Sequence, residues 1–146
     1  MNFRASFCDP LKQYPTEFGN VEKDKIIEMF EKIPWAEHLE KMKTASKKEI
    51  YCSSPIFEVV NNDNENGLLI CAIDGTEWYI YYARPRTKLV KKFFKQVEET
   101  ETYITDAYGQ TENDVRMCVK ALIENDLQFL ENKINLPNDY EKWRGY

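Results

Sequence analysis

The chain has 146 residues, 42% of them apolar and 31% charged. That is the composition of one globular domain, not of a disordered chain or of two comfortable domains, and at this size a core needs no disulfide or metal to hold it. Twenty basic against 25 acidic residues leave a formal charge of −5, which repels nucleic acid and anionic membrane on average and disfavours both as partners.

Residues 1–19 carry spaced aromatics (Phe3, Phe7, Tyr14, Phe18) and two prolines (Pro10, Pro15). Prolines at this density prevent a long helix, and the stretch is expected to lie on the domain as an extended arm. Asn20 is placed to cap a helix whose apolar stripe is Ile26, Ile27, Phe30 and Ile33. Pro34 ends that helix or opens a second, short one that continues the stripe through Trp35, Leu39 and Met42. Ile50–Cys52 reads as a brief strand broken by Ser53-Ser54-Pro55. Ile56–Val60, rich in β-branched residues, reads as a full strand. The polar run 61–67 is a turn, because Asn, Asp and Gly tolerate positive φ. Leu68–Ile73 and Thr76–Ala83 form a predicted hairpin whose Asp74-Gly75 pair suits a type I′ turn.

Residues 87–97 mix lysines with apolar residues and are expected as a short helix, followed by an acidic turn at Glu98–Glu101. Tyr103–Tyr108 returns as a strand. Thr111 with Asp114 resembles a capping box and opens a predicted helix along Val115, Cys118, Val119, Leu122, Leu130 and Ile134, with Asp126 as a polar interruption. Pro137 stops it, and Tyr140 and Trp143 give residues 137–146 something apolar to dock.

The expected fold class is therefore α+β: one domain over residues 1–146, an antiparallel β-meander of about four strands with N-terminal and C-terminal helices on one face. The longest aliphatic run, Leu68–Ile73, is too short to span a bilayer. The start of the chain lacks the apolar core of a signal peptide, and the four cysteines show no Cys-x-x-Cys pair. These features point to a reduced, cytoplasmic protein. Cys52 and Cys71 are the pair that adjacent strands would bring face to face.

Catalytic patterns are absent. The single histidine, His38, sits in a charged helix, which excludes a two-histidine metal site from this chain. The five glycines are isolated, so no loop gathers backbone N–H groups onto a phosphate. No cofactor and no metal is expected.

Three features remain as recognition candidates. In the predicted hairpin Trp78, Ile80 and Tyr82 share one face and Tyr79 and Tyr81 the other; a face carrying two tyrosines suits an interface. Arg84, Arg86, Lys88, Lys91 and Lys92, with Lys95, form a basic run punctuated by Phe93 and Phe94. It reads either as an anion-binding patch or as a helix whose lysines are solvated while the apolar residues dock. Arg84, next to the tyrosines, is placed to stack on a ring or grip a carboxylate. The leading expectation is a non-enzymatic protein-binding module that meets a protein partner or itself as a small homo-oligomer. The element order is similar to that of bacterial secretion chaperones, and the small, acidic, motif-poor chain is similar to toxin-neutralising immunity proteins. The alternative is a small-molecule or anion-binding domain with a pocket lined by Tyr79, Tyr81 and Arg84.

Overall fold

A computed structural model of the chain describes residues 2–137. The elements in chain order are β1 (Asn2–Cys8), β2 (Thr16–Glu22), α1 (Lys23–Lys32), α2 (Trp35–Thr44), a 3-10 turn at Lys47–Glu49, β3 (Ile56–Asn61), β4 (Gly67–Ala72), β5 (Trp78–Lys92), β6 (Lys95–Gln110), α3 (Glu112–Ile123), α4 (Leu127–Lys133) and β7 (Leu136–Pro137). The class is α+β as expected, but the antiparallel sheet has seven strands, not about four, in the order β2-β1-β3-β4-β5-β6-β7.

The added strands come from segments whose sequence pattern suggests other structure. Within the expected arm, residues 2–19 are built into the sheet and its first connection. Phe3, Ala5 and Phe7 alternate inward while Arg4 and Ser6 point out, so β1 inserts between β2 and β3. Pro10 and Pro15 fall in the connection between β1 and β2, where they cost the ladder nothing. Asn20 lies within β2, and α1 starts after Glu22 without a side-chain cap. Ile50–Cys52 is not a strand. Residues 87–97 are not a helix and Glu98–Glu101 is not a turn; both belong to the long β5–β6 pairing. The predicted C-terminal helix is split: Asn125 takes φ +60°, and the Asp126 carboxylate caps α4 by accepting from Phe129 N at 3.2 Å. The polar interruption is thus a new N-cap. The Thr111–Asp114 capping box forms as read.

One face of the sheet carries the core. Phe3, Ala5 and Phe7 of β1, Phe57 and Val59 of β3, Leu68, Ile70 and Ala72 of β4, and Trp78, Ile80 and Tyr82 of β5 sit in one buried cluster. Their partners are Ile26 and Phe30 of α1, Trp35 of α2, the apolar stripe of α3, and Leu130 and Ile134 around α4. Phe30 touches the rings of Trp35, Phe57 and Trp78 at centroid separations of 5.5, 6.2 and 5.7 Å. Such pairs add roughly 0.5–1.5 kcal/mol each beyond area burial, so this cluster fastens the N-terminal helices to the sheet. The helices stand on this face, as the sequence reading expected.

Asp74-Gly75 does not form a type I′ turn, since neither residue has positive φ. The β4–β5 link is a five-residue loop instead. In it Asp74 Oδ1 accepts from the backbone N–H groups of Thr76 and Glu77, both at 2.7 Å. A side-chain acceptor closes the loop without left-handed backbone. Cys52 pairs with Cys8, not with Cys71. Cys71 and Cys118 are free thiols that burial pushes up to about 11 and about 12. Among the described residues no helix is long and apolar enough to cross a membrane. The docked tail expected at 137–146 lies, beyond Pro137, outside the described residues.

Candidate functional site

Beyond Ala83 on β5 and Ile104 on β6 the two strands pair chiefly with each other, from Arg84↔Tyr103 to Lys92↔Lys95. Nine residues of β5 span about 30 Å at the usual rise, so the hairpin leaves the sheet as a free-standing ribbon. Ribbons without a covered face are marginal unless cross-strand pairs support them. Here one side carries a ladder of charge and rings. Arg84 and Arg86 stack on Tyr103 at 4.4 and 4.0 Å. Arg86 and Lys88 both reach Glu101, at 2.6 and 2.7 Å, and Lys92 pairs with Glu99. The carboxylate of Glu101 is held below its usual range by its hydrogen bonds from Lys88 and Arg86.

Four of the five basic residues proposed from sequence are therefore engaged by carboxylates: Arg84 by Glu131, Arg86 and Lys88 by Glu101, and Lys92 by Glu99. Lys91, on the other side, and Lys95 at the tip have no carboxylate partner among the described residues.

The ladder ends at Phe93 and Phe94. Their φ values are +48° and +67°, and they form the two-residue loop between the paired Lys92 and Lys95. Both rings are almost wholly in water, at 96% and 97% exposure. Left-handed backbone at a residue with a Cβ costs roughly 1–2 kcal/mol, and hairpins normally use Asn-Gly here. Two phenylalanines thus occupy the least favourable positions for them, with no burial inside the chain to offset the strain. Residues 90–97 hold Lys91, Lys92 and Lys95 and no carboxylate. From sequence these two phenylalanines read as punctuation of a basic helix or as its apolar residues docked on the core, and neither holds, since both rings face water; the signal that reveals them is the period-2 alternation Arg84, Arg86, Lys88 opposite Glu99, Glu101, Tyr103.

The second feature is the face of the sheet opposite the helices. Ile56, Leu69, Cys71, Tyr79, Tyr81, Ala83 and Ile104 line a groove of about 390 Å³, with Ile73 at its end. The register shift opposite Tyr79, with Gly109 at φ +62°, lifts Tyr108 onto it, so the two rings stack at 4.2 Å. Tyr81 meets Tyr79 edge-on at 4.3 Å. Tyr79 Oη donates to Asp106 Oδ2 at 2.6 Å. Burial first, and that bond second, push the Tyr79 phenol well above its ordinary range, so it remains a donor at any physiological pH. Glu58, opposite Leu69 on β3, is half-buried and its carboxyl is raised by desolvation.

Tyr79 and Tyr81 therefore stand together, as expected, but Arg84 does not join them. Its side chain turns to the helix side of the sheet. There it donates to Tyr82 O at 3.1 Å, Thr105 Oγ1 at 2.8 Å and Glu131 Oε2 at 2.7 Å, with its guanidinium between the rings of Tyr82 and Tyr103. The three residues do not line one cavity, and Arg84 instead ties the ribbon base to α4. No group of three or more His, Cys, Asp or Glu side chains is placed to hold a metal ion among the described residues. Compared with known proteins, the chain matches no family model, no curated protein and no solved structure.

Proposed function

We propose that this chain is a non-enzymatic protein-binding module whose contact element is the β5–β6 ribbon. The observation that carries this reading is the pair of solvent-exposed phenylalanines held in strained backbone at the end of a charge-braced rod. Exposed aromatic anchors on a rigid support lose little entropy on binding and dominate interface energetics when they enter a pocket. The lysines beside them suit a pocket with an acidic rim. The tyrosine face contributes groove and hydrogen-bonding groups on the body of the molecule.

The test is a photo-cross-linking residue in place of Phe93, used in extract of the source cells, with the same residue in place of the exposed Lys25 of α1 as control. Protein adducts specific to position 93 are expected. Absence of protein adducts there, or the same adducts from position 25, refutes the reading.

A further inference from the structure

We propose that the tip and the groove are partners, the Phe93–Phe94 tip of one copy entering the helix-free groove of a second copy while the second returns the exchange. This rests on the reading that the ribbon is the contact element, and it names the occupant.

The chain carries both halves of a complementary pair. The knob is two adjacent phenyl rings, and the hole is an apolar groove of about 390 Å³, within the roughly 300–1,000 Å³ range in which protein pockets take compact ligands. The knob cannot reach its own groove. The strands are paired without interruption from Ile80↔Ala107 to Lys92↔Lys95, and a continuous ladder does not fold back through about 30 Å of its own length. Only another molecule can present the groove.

Charge agrees with this. Of the three lysines at the tip Lys92 is paired with Glu99, while Lys91 and Lys95 have no carboxylate partner among the described residues, and acids stand beside the groove. Glu58 lies directly across the ladder from Leu69, and Asp106 directly across from Tyr81. Glu58 makes no side-chain hydrogen bond among the described residues and is half-buried, with Arg4 as a nearby cation and Glu17 as a nearby like charge, so an arriving ammonium would give it a direct partner.

The two sides of the ribbon differ in the same sense. Arg84, Arg86, Lys88, Glu99 and Glu101 occupy one side. On the side continuous with the groove stand Pro85, Thr87, Leu89, Thr100 and Thr102, with charge only at Lys91 and Glu98 by alternation. That uncharged midsection is what a ribbon would lay against its twofold mate. Area favours reciprocity. Burying two phenylalanines removes about 300–500 Å² of ring surface. With a matching area of groove, one insertion falls short of a standard interface, whereas two insertions reach roughly 1,200–2,000 Å².

The experiment is sedimentation of the full chain and of the double variant Phe93→Asn, Phe94→Gly over a concentration series. It is paired with cross-linking from a photo-reactive residue at position 94 in an unlabelled chain mixed with nitrogen-15-labelled wild type. Asn-Gly favours the same turn, so the variant keeps the ribbon. The expected result is a wild-type species of twice 17.4 kDa, weakened at least tenfold in the variant. Adducts should form on labelled peptides containing Leu69–Cys71 or Tyr79–Ala83. A wild type that stays monomeric at high concentration, a dimer unchanged by the variant, adducts that map away from the groove, or capture of the tip by phosphatidylserine vesicles in place of a dimer each overturns the proposal. A monomer whose position-93 adducts are to a foreign protein sinks the clasp and leaves the contact-element reading standing; no protein adduct at all sinks both.

Discussion

Replacing Phe93-Phe94 with Asn-Gly should make the protein more stable although it deletes two large apolar side chains. The rings are 96% and 97% exposed, so their removal forfeits almost no burial. Each left-handed position costs a residue with a Cβ roughly 1–2 kcal/mol, which the two replacements largely relieve, giving about 2–4 kcal/mol. Glycine at position 94 returns about 1 kcal/mol of that through greater freedom in the unfolded chain. The net gain is about 2 kcal/mol. Where the ribbon unfolds with the body, this raises Tm by about 4–8 °C for a domain near this size. Where the ribbon opens separately, the gain appears as slower amide exchange confined to residues 84–103. Chemical denaturation followed by the buried Trp35 and Trp78, together with site-resolved hydrogen exchange, reads both cases in protein dilute enough to be monomeric. Unchanged or lowered stability, with no added protection in the ribbon, refutes the argument that the tip is strained.

Three other outcomes follow from the same geometry. Arg84→Met should destabilise the fold by about 2–4 kcal/mol, because Thr105 and the Tyr82 carbonyl lose a buried charged donor, and Arg84→Lys should fail to rescue it because an ammonium cannot stack between two rings; equilibrium urea unfolding measures both. Asp114 is held at about 2, chiefly by its hydrogen bond from Lys133 and then by that from the Thr111 N–H. Its folded value lies below its unfolded one, so its contribution is present above about pH 4 and vanishes as pH falls toward 2; Asp114→Asn should cost about 1 kcal/mol at neutral pH, and a pH series of melts should show the variant and wild type converging below pH 3. Cys71 and Cys118 have thiols raised to about 11 and about 12 by burial. Alkylation at pH 8 should therefore spare them in the native protein and modify just these two after non-reducing denaturation, as mass spectrometry would show.

The central strands were legible from sequence because their apolar residues alternate or cluster in short runs bounded by turn residues, as at Ile56–Val60 and Leu68–Ile73. The one-sided helices were legible for a related reason, since Phe30, Val115 and Leu122 recur at helical spacing. The ribbon was not. Apolar residues at 89, 90, 93 and 94 imitate a helical stripe, while the true alternation is written in Arg84, Arg86 and Lys88 and their acidic partners. Charged cross-strand pairs carry the strand period without the apolar signal by which strands are recognised. Misplacing the tight turn has the same root. Asp74-Gly75 has the residues of a type I′ turn but closes through the Asp74 side chain, whereas Phe93-Phe94 has the conformation without the residues. The grouping of Arg84 with Tyr79 and Tyr81 failed on parity: three positions beyond Tyr81, Arg84 faces the helices.

Whether residues 84–103 stand clear of the body and offer their end to water is decided most directly by nuclear magnetic resonance of the dilute monomer. Cross-strand contacts between Val90 and Val97 and between Lys88 and Glu99, with strong relaxation of Phe93 and Phe94 by a soluble paramagnetic probe, are the predicted result. Helix-type contacts running through 87–97, or phenylalanines shielded from the probe, would contradict it.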